Sequence, residues 1–332
     1  MNISSLSPSK IETYKSCPWL FYLSAILGLP DDPNPKTICG SIVHHVLEIM
    51  ARAKKNGHYL LNDKYINPNY LLKICWVKYV RENPKLEFTQ EHYDFCKEML
   101  TQVLKTAYNP LKQKIVAAEA FFELNMNDKG FQYKYKNHVD GSPKEGNLMV
   151  RGIIDLVIEL DEDTIEIVDY KTGQRKDWNT GKKKQLDDFY KDTALNTYDL
   201  AAQRLFPQYK NRIITLIYIR DGGPYSISMD SRHNKAAIDT LRKSYRNILF
   251  DENVERLKDQ PNSNSYYKCN KMCSFGTTKI DGKSLCDILY KEFNAGGKLK
   301  STPVLYEITS ERRSLNKRSS LGKSNKINLR NW

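Results

Sequence analysis

Two short segments carry acidic residues whose types and spacing suit the metal-dependent hydrolysis of a phosphodiester. Residues 150–155 read VRGIID, and residues 165–173 read IEIVDYKTG. Both are apolar, β-branched runs that predict strands, and Asp169 and Lys171 would share one face of their strand. Carboxylates from neighbouring strands can hold a hard divalent cation, and a lysine beside them can approach the phosphate and the attacking water. Asp155, Asp169 and Lys171 are therefore predicted catalytic residues.

A histidine on a predicted helix is a further candidate metal ligand. Residues 40–44 read GSIVH, and Glu48 follows His44 by one helical turn on the same face. Mg²⁺ and Mn²⁺ prefer oxygen ligands, and an imidazole ligand shifts the preference toward Mn²⁺. His45 stands directly beside His44, and only the Gly-x-x-x-His spacing selects His44 between the two.

Taken together, these segments resemble the PD-(D/E)XK nuclease superfamily, in the branch that contains the RecB, Cas4 and AddB nucleases. That branch typically has a Gly-x-x-x-His helix, a Gly-hydrophobic-hydrophobic-Asp strand, an Asp-Tyr-Lys-Thr-Gly strand end and a later Gln-Leu-x-x-Tyr helix. The corresponding segments here are 40–44, 152–155, 169–173 and 194–198. The resemblance covers most of residues 1–290.

The resemblance implies a fold, a metal and roles for individual residues. The expected fold is α/β, with a restriction-endonuclease-like core in which a mixed central β-sheet is flanked by helices. Mg²⁺ or Mn²⁺ would be held by His44, Asp155, Asp169 and the carbonyl of Tyr170. Lys171 would be catalytic, and Tyr198 would lie near the DNA.

One position departs from the pattern of that branch. Ala194 stands where the helix usually has glutamine, which puts the substrate contact of this helix in doubt but leaves the metal site unaffected. Gln185 and Leu186 form another Gln-Leu pair, but the tyrosine that follows, Tyr190, comes one residue late. Tyr198 is preferred because its helical register is more regular.

A further acid, Glu119, lies within a predicted strand that precedes these motifs. It could approach the metal from that strand, but we interpret it as an ordinary acid on a strand face.

Four cysteines near the two ends of the folded region form a second candidate site. By the same resemblance, Cys17, Cys269, Cys273 and Cys286 would ligate a [4Fe–4S] cluster, for which four thiolates are the usual ligands. The spacing departs from the common Cys-x-x-Cys pattern, because three residues separate Cys269 from Cys273 and twelve separate Cys273 from Cys286. A tetrahedral Zn²⁺ site and unliganded thiols remain alternatives. The other cysteines, Cys39, Cys75 and Cys96, lie in apolar helical stretches and are interpreted as core residues.

Basic residues follow the second acidic motif and also dominate the C-terminal end. The predicted DNA-binding loop after Lys171 contains Arg175, Lys176, Trp178, Lys182, Lys183 and Lys184. Cations with an aromatic residue suit a single strand, which offers phosphates and unstacked bases, although a solvated loop is the alternative. Residues 312–332 contain seven basic residues and no acid, which predicts a flexible tail that contacts nucleic acid or a partner.

Hydrophobic periodicity places these motifs on predicted elements. Predicted strands span 115–126, 148–160, 164–170 and 213–219, with an edge strand at 225–229; predicted helices begin at Ser7-Pro8 and Gly40 and span 192–205 and 233–257. The helical elaboration spans about 50–112, and the polar stretch 127–147 is predicted to be a hairpin or loop insertion. We expect one nuclease domain over 1–305, with a cysteine-rich part at 266–290, and a basic tail over 306–332.

Composition limits the classes of protein and partner that are plausible. Lys and Arg outnumber Asp and Glu by 52 to 39, which favours a polyanionic partner such as DNA. No apolar run is long enough for a transmembrane helix, no signal peptide is recognisable, and seven cysteines suit a reducing, intracellular setting more than a disulfide framework. The expected location is cytoplasmic, and the composition is compatible with a viral or bacterial source.

The sequence therefore predicts a metal-dependent DNA exonuclease acting on single strands or DNA ends in recombination, repair or replication. A non-catalytic DNA-binding subunit and a structure-selective endonuclease are the alternatives. No Gly-x-x-x-x-Gly-Lys-[Ser/Thr] motif is present, so unwinding would come from a partner helicase or another recombination or replication protein.

Overall fold

A computed structural model describes residues 1, 3–29, 31–58, 66–136, 141–176, 181–251, 254–260 and 265–296. Trp178 of the predicted DNA-binding loop lies outside these residues, as does the tail predicted over 306–332. Within the described residues, no helix combines the length and apolar character needed to cross a membrane.

A six-stranded mixed sheet forms the centre of the described fold. Its strands are β1 (Ser5–Leu6), β2 (Ile115–Asn125), β5 (Met149–Glu159), β6 (Thr164–Lys171), β7 (Asn211–Tyr218) and β8 (Gly222–Ser228), and two small sheets are formed by β3 (Gln132–Lys136) with β4 (Pro143–Asn147) and by β9 (Lys279–Ile280) with β10 (Lys283–Ser284). The order is β1-β5-β6-β7-β8, and β2 also pairs with β5. β1 pairs with the start of β5, at residues 149–150, and β6 with its end, at residues 156–159, whereas β2 pairs along almost all of β5. β6 and β7 are parallel, whereas β2, β6 and β8 are antiparallel to their partners β5, β5 and β7.

Burial on both faces explains why the strand before the second acidic motif is continuously apolar. Six consecutive residues of β6, 165–170, are buried, and its parallel partner β7 is buried along most of its length. Parallel strands covered on both faces typically read as such β-branched runs rather than as alternating patterns. The mixed sheet with helices on both sides confirms the predicted fold class.

The longer helices are α1 (Pro8–Ser16), α3 (Pro35–Lys55), α4 (Pro68–Glu82), α5 (Gln90–Lys105), α7 (Thr193–Leu205), α8 (Ser231–Phe250) and α11 (Leu285–Gly296). Short helices are α2 (Pro18–Phe21), α6 (Leu186–Tyr190), α9 (Ser265–Tyr267) and α10 (Ser274–Thr277), with π-helical turns at Tyr22–Ile26 and Lys268–Met272 and 3₁₀ turns at Pro110–Lys112 and Leu257–Asp259. Ser7 caps α1, as predicted, by accepting a hydrogen bond from the Lys10 amide.

Two helix boundaries differ from the prediction because local caps decide them. α3 begins at Pro35 rather than Gly40, since the Asn34 side chain accepts a hydrogen bond from Thr37 N at 2.9 Å and Pro35 suits the first turn. α8 begins one residue after Asp230 and ends at Phe250 rather than near 257. Asp251 is extended there and its side chain accepts a hydrogen bond from Val254 N.

Each face of the sheet packs against its own helices. The first core contains side chains such as Phe122, Ile154, Ile167, Leu195 and Tyr245, and it unites the sheet with α1, α7 and α8. The second core contains side chains such as Val43, Met50, Leu72, Leu156 and Val168, and it unites the sheet with α3, α4 and α5. The helices predicted between the N-terminal motif and the first long strand therefore cover one face of the sheet.

A third cluster joins the two ends of the described chain. Trp19 and Leu23, from the N-terminal helices, pack with Phe275, Leu285 and Leu289 from the C-terminal part. This terminal core is separate from the two cores of the sheet.

Gly152 is a position where a side chain would clash, so it gives a test of the packing between β2 and β5. A Cβ atom at Gly152 would lie closer to the Phe122 ring than unbonded carbon atoms approach. We predict that Gly152→Ala lowers the free energy of unfolding by about 1–3 kcal/mol, as overpacking of a close-packed core does. The measurement is a urea unfolding curve.

Gly173→Ala is the matched control, because nothing lies within 4 Å of a Cβ atom built at Gly173. It should unfold within about 0.5 kcal/mol of the wild type. Equal midpoints for the two variants would contradict the proposed packing.

Candidate active site

The predicted acidic motifs meet where two strands of the sheet separate. The pairing of β5 with β6 ends at Leu156 opposite Val168, and Asp155 and Asp169 follow directly beyond it. There the Oδ2 atom of Asp155 accepts a hydrogen bond of 3.0 Å from the backbone N–H of Tyr170. A carboxylate thus takes the place of the backbone carbonyl that would accept this bond in a continued sheet. We call the place where the two strands separate the fork, and we define it by Asp155, Asp169 and Lys171.

Lys171 and Asp169 form an ion pair in the fork. Nζ of Lys171 lies 2.7 Å from Oδ2 of Asp169, a residue that is only 3% exposed. Burial would lower the pKa of Lys171, but the carboxylates of Asp169 and, less strongly, Asp155 raise it above its ordinary value. Lys171 is therefore a cation at neutral pH.

Tyr198 reaches the fork from α7 and not from the alternative helix. Burial, and then the negative charge of Asp169, raise the pKa of its hydroxyl, so that the group remains a neutral donor. Its ring packs edge-on against Phe122, the ring for which Gly152 leaves space, with centroids 6.2 Å apart. The alternative tyrosine, Tyr190, instead stacks on the ring of His233.

His44 enters the fork from α3 because that helix approaches the end of β6 closely. A Cβ atom at Gly40 would lie 2.7 Å from Oγ1 of Thr172, so a glycine is needed at this crossing. One turn later, Nδ1 of His44 lies 3.4 Å from Oδ2 of Asp155. His45 instead packs against Tyr79 of α4, so the structure places His44, not His45, at the fork.

In both β2 and β5, the alternation of side chains between the two faces of the sheet is interrupted at one point. Ala118 and Leu156 pack in the second core, whereas Ala120 and Ile154, two residues away along the same strands, pack in the first. Residues two apart on a regular strand share a face, so the alternation is interrupted between them. Glu119 lies at this interruption with a φ of 49°, a conformation that is unusual for a residue with a side chain.

The interruption directs Glu119 toward the site. Its carboxyl group is half-buried, and burial, followed by the charges of Asp155 and Glu48, raises its pKa to about 7. Sequence reasoning interpreted Glu119 as an ordinary strand acid. The available signal was its position in the middle of a strand, flanked by small alanines, rather than at a strand end.

Negative charge accumulates at the fork. Burial, and then the neighbouring Asp169, raise the pKa of Asp155 to about 6, although His44 and Lys171 act in the opposite direction. A divalent cation would relieve this repulsion, and carboxylates with one imidazole are donors that Mg²⁺ and Mn²⁺ accept. In the described part of the chain, no three His, Cys, Asp or Glu side chains are already arranged as a metal site.

Tyr170 contributes its backbone to the fork and its ring to the second core. The ring is 3% exposed, and its hydroxyl donates a 2.7 Å hydrogen bond to the carbonyl of Tyr108. Burial raises the pKa of this hydroxyl. Its N–H is the donor to Asp155 described above, so the peptide after Asp169 is fixed at the end of β6 that lies in the fork.

The four terminal cysteines also come together, although they are distant in sequence. Cys17, Cys269, Cys273 and Cys286 line one cavity of about 290 Å³. Sγ of Cys17 accepts hydrogen bonds of 3.4 Å from the amides of Leu20 and Leu257. The pKa of Cys273 is raised to about 11 by burial, with Asp31 and Cys17 contributing, and the pKa of Cys286 is raised to about 12 by burial, with Cys273 and Cys17 contributing. As predicted, Cys39, Cys75 and Cys96 are buried core residues.

The predicted DNA-binding loop is partly committed to internal contacts. The guanidinium of Arg175 lies 4.4 Å from the ring centroid of Tyr225, and its Nη1 donates to the carbonyl of Lys184. Lys184 is also 3.4 Å from the carboxylate of Asp192. Lys176 pairs through its backbone with Lys183. The side chains of Lys182 and Lys183 are exposed.

Comparisons with known proteins give a family match and a similar solved structure, each over most of the chain. A search of curated proteins found no match. A crystal structure from Eubacterium rectale, of a protein provisionally named an exonuclease, is similar with 10% identity and a TM-score of 0.42, over 74% of this chain and 80% of that one. The family model of the PD-(D/E)XK nuclease superfamily matches residues 5–277. The chain therefore belongs to the PD-(D/E)XK nuclease superfamily.

Proposed function

We propose that this nuclease is a divalent-metal-dependent deoxyribonuclease that digests DNA from its ends, on single strands or at duplex termini. The observation that carries the proposal is the meeting of Asp155, Asp169 and Lys171 at the fork, with His44 and Tyr198 beside them. Digestion from ends rests on the resemblance of the motifs to the RecB- and Cas4-like branch. Recombination, repair and replication are the processes in which such an activity is used.

The metal would be Mg²⁺ or Mn²⁺. Its proposed ligands are the carboxylates of Asp155 and Asp169, the imidazole of His44 and the carbonyl of Tyr170. Glu119 faces the same acids and would add a further carboxylate. When bound, such an ion lowers the pKa of a water molecule and neutralises charge on the phosphate.

Lys171 has the role that its surroundings favour. Asp169 holds its ammonium group in place and keeps it charged. A fixed cation in a partly buried site stabilises the negative charge that builds on a phosphate during attack by water. The hydroxyl of Tyr198, which remains protonated, can donate a hydrogen bond to a phosphate oxygen of the bound strand.

The cysteine cavity is proposed to hold a [4Fe–4S] cluster that joins the two ends of the fold. The support is the convergence of four thiols from segments about 250 residues apart, next to the terminal core. Zn²⁺ is the competing occupant, because tetrahedral thiolate sites also bind zinc.

We predict that Lys171→Ala abolishes DNA cleavage while the protein remains folded. The rate should fall by about 10²-fold or more, as when a group that stabilises transition-state charge is removed. The measurement is digestion of end-labelled single- and double-stranded DNA with Mg²⁺ or Mn²⁺. Lys210→Ala is the control, since Lys210 is an exposed lysine paired with Asp163 at 3.0 Å; it should cut at the wild-type rate.

Each alternative gives a different result in this assay. A folded wild type that binds DNA but does not cut it would indicate a non-catalytic subunit. Cleavage of circular single-stranded DNA would indicate an endonuclease. Equal cutting by Lys171→Ala and wild type would remove Lys171 from the mechanism.

The half-buried Glu119 should make the stability of the metal-free protein depend on pH. Its pKa rises from an ordinary 4.5 to about 7 on folding, so between these values the native state holds a proton that the unfolded state has released. Raising the pH through this window therefore lowers the free energy of unfolding. Glu119→Gln removes this contribution.

We predict that Glu119→Gln and wild type differ least near pH 4.5 and that the variant becomes relatively more stable up to about pH 7. Urea midpoints measured with EDTA across this range test the prediction. A difference that does not change with pH would contradict it.

Purification without oxygen tests the cysteine proposal. We predict visible absorbance and about four iron atoms per chain, both lost in Cys17→Ser. Cys75→Ala, which alters a buried cysteine of the second core, should retain the iron. Zinc without iron would assign the cavity to zinc. If the protein contained neither metal, the thiols would be unliganded.

A further inference from the structure

An apolar pair of side chains stands exposed on the strands that carry the acids. Phe121 of β2 is 58% exposed and Ile153 of β5 is 46% exposed, and the two residues are direct cross-strand partners. Exposed apolar side chains that are adjacent rather than scattered often mark a binding surface. We call Phe121 and Ile153 the apolar pair.

The apolar pair lies on the same side of the sheet as Glu119. Phe122 and Ile154 point into the first core, so the preceding residues Phe121 and Ile153 point to the opposite side. Glu119 faces that side too, because its charged neighbours include Glu48 and Arg52 of α3. Phe121 and Ile153 are two residues from Glu119 and Asp155 along their strands, so the apolar pair is next to the proposed metal ligands.

An ion pair follows on the other side of the apolar pair. Arg151 and Glu123 are the next cross-strand partners on this face. Nε of Arg151 lies 2.5 Å from Oε1 of Glu123, and both side chains are about half exposed. Along β2 and β5 the surface therefore changes from acids to apolar side chains to a pair that contains a cation. A nucleotide strand also combines charged and apolar groups, because bases with apolar faces project from the sugars that link its charged phosphates.

We propose that the apolar pair binds the base of a nucleotide adjacent to the scissile phosphate. The inference rests on the proposed nuclease function and names a substrate contact for it. Two side chains are far too few for a stable protein interface, which needs about 800 Å² from each partner. They match the face of one base, and stacking of a base on an aromatic ring is largely independent of sequence.

The test combines a protein variant with a DNA variant. The cleavage products of the wild type on an end-labelled single strand first locate the scissile phosphates. Oligonucleotides are then made in which one nucleotide on either side of such a phosphate lacks its base. Their affinities for wild type and Phe121→Ala are measured by fluorescence anisotropy with Ca²⁺ in place of Mg²⁺.

The expected result is a coupling between the ring and one base. Phe121→Ala should weaken binding of the intact strand about tenfold, and removal of that base should weaken binding to the wild type by a similar factor. The two changes together should cost little more than either alone. Phe121→Tyr should retain the affinity, and Phe250→Ala, which removes a phenylalanine that is 72% exposed on α8, should not change it.

Thermal unfolding shows whether Phe121→Ala is folded, and Ile153→Ala is a second variant of the same surface. This inference alone would be overturned if the wild type cuts DNA but Phe121→Ala does not weaken binding. It would also be overturned if the effects of Phe121→Ala and of base removal on the binding free energy simply add. A wild type that neither binds nor cuts DNA would overturn the proposed function and this inference together. If Phe121→Ala instead converted a dimer to a monomer with unchanged DNA affinity, the pair would be an interface between copies of the chain, and the inference would be wrong.

Discussion

The separation of β5 from β6 is the constraint on which the site depends. Beyond Leu156 and Val168 the strands no longer pair, and the backbone N–H of Tyr170 needs another acceptor. Asp155 satisfies it with its side chain and is thereby held in one orientation. The same separation creates the space in which Asp169 and Lys171 face each other. A regular ladder continued by one more residue would have closed that space.

The surrounding elements position further polar side chains at the fork. α3 can reach the end of β6 because Gly40 lies against Thr172, and the helix brings His44 one turn further along. On the other side, Gly152 leaves room for the Phe122 ring, against which Tyr198 packs. Gly40 and Gly152 therefore both contribute to the site because they have no side chain. The acids repel one another in a partly buried setting, and the fold tolerates this because Lys171 compensates part of the charge.

Local patterns explain how much of this could be predicted from the sequence. The β-branched runs before Asp155 and Asp169 predicted two strands that the structure contains, and the motif spacing predicted membership of the superfamily, which the family match confirms. The predicted start of α3 at Gly40 was wrong, because the helix is capped by Asn34, which precedes the Gly-x-x-x-His motif. The change of face at Glu119 and the stacking of Arg175 on Tyr225 depend on contacts between distant residues, which periodicity does not encode. The assignment to the RecB- and Cas4-like branch, and the roles of the individual site residues, remain predictions.

The left-handed backbone at Glu119 has a consequence for the evolution and engineering of this chain. A residue with a side chain at a φ of 49° costs free energy that glycine would not, and asparagine would cost less than glutamate. A carboxylate facing other acids adds to that cost. Selection for stability alone would therefore favour glycine or asparagine at position 119. A redesign that optimises stability alone would therefore remove this acid, and with it a negative charge that faces Asp155.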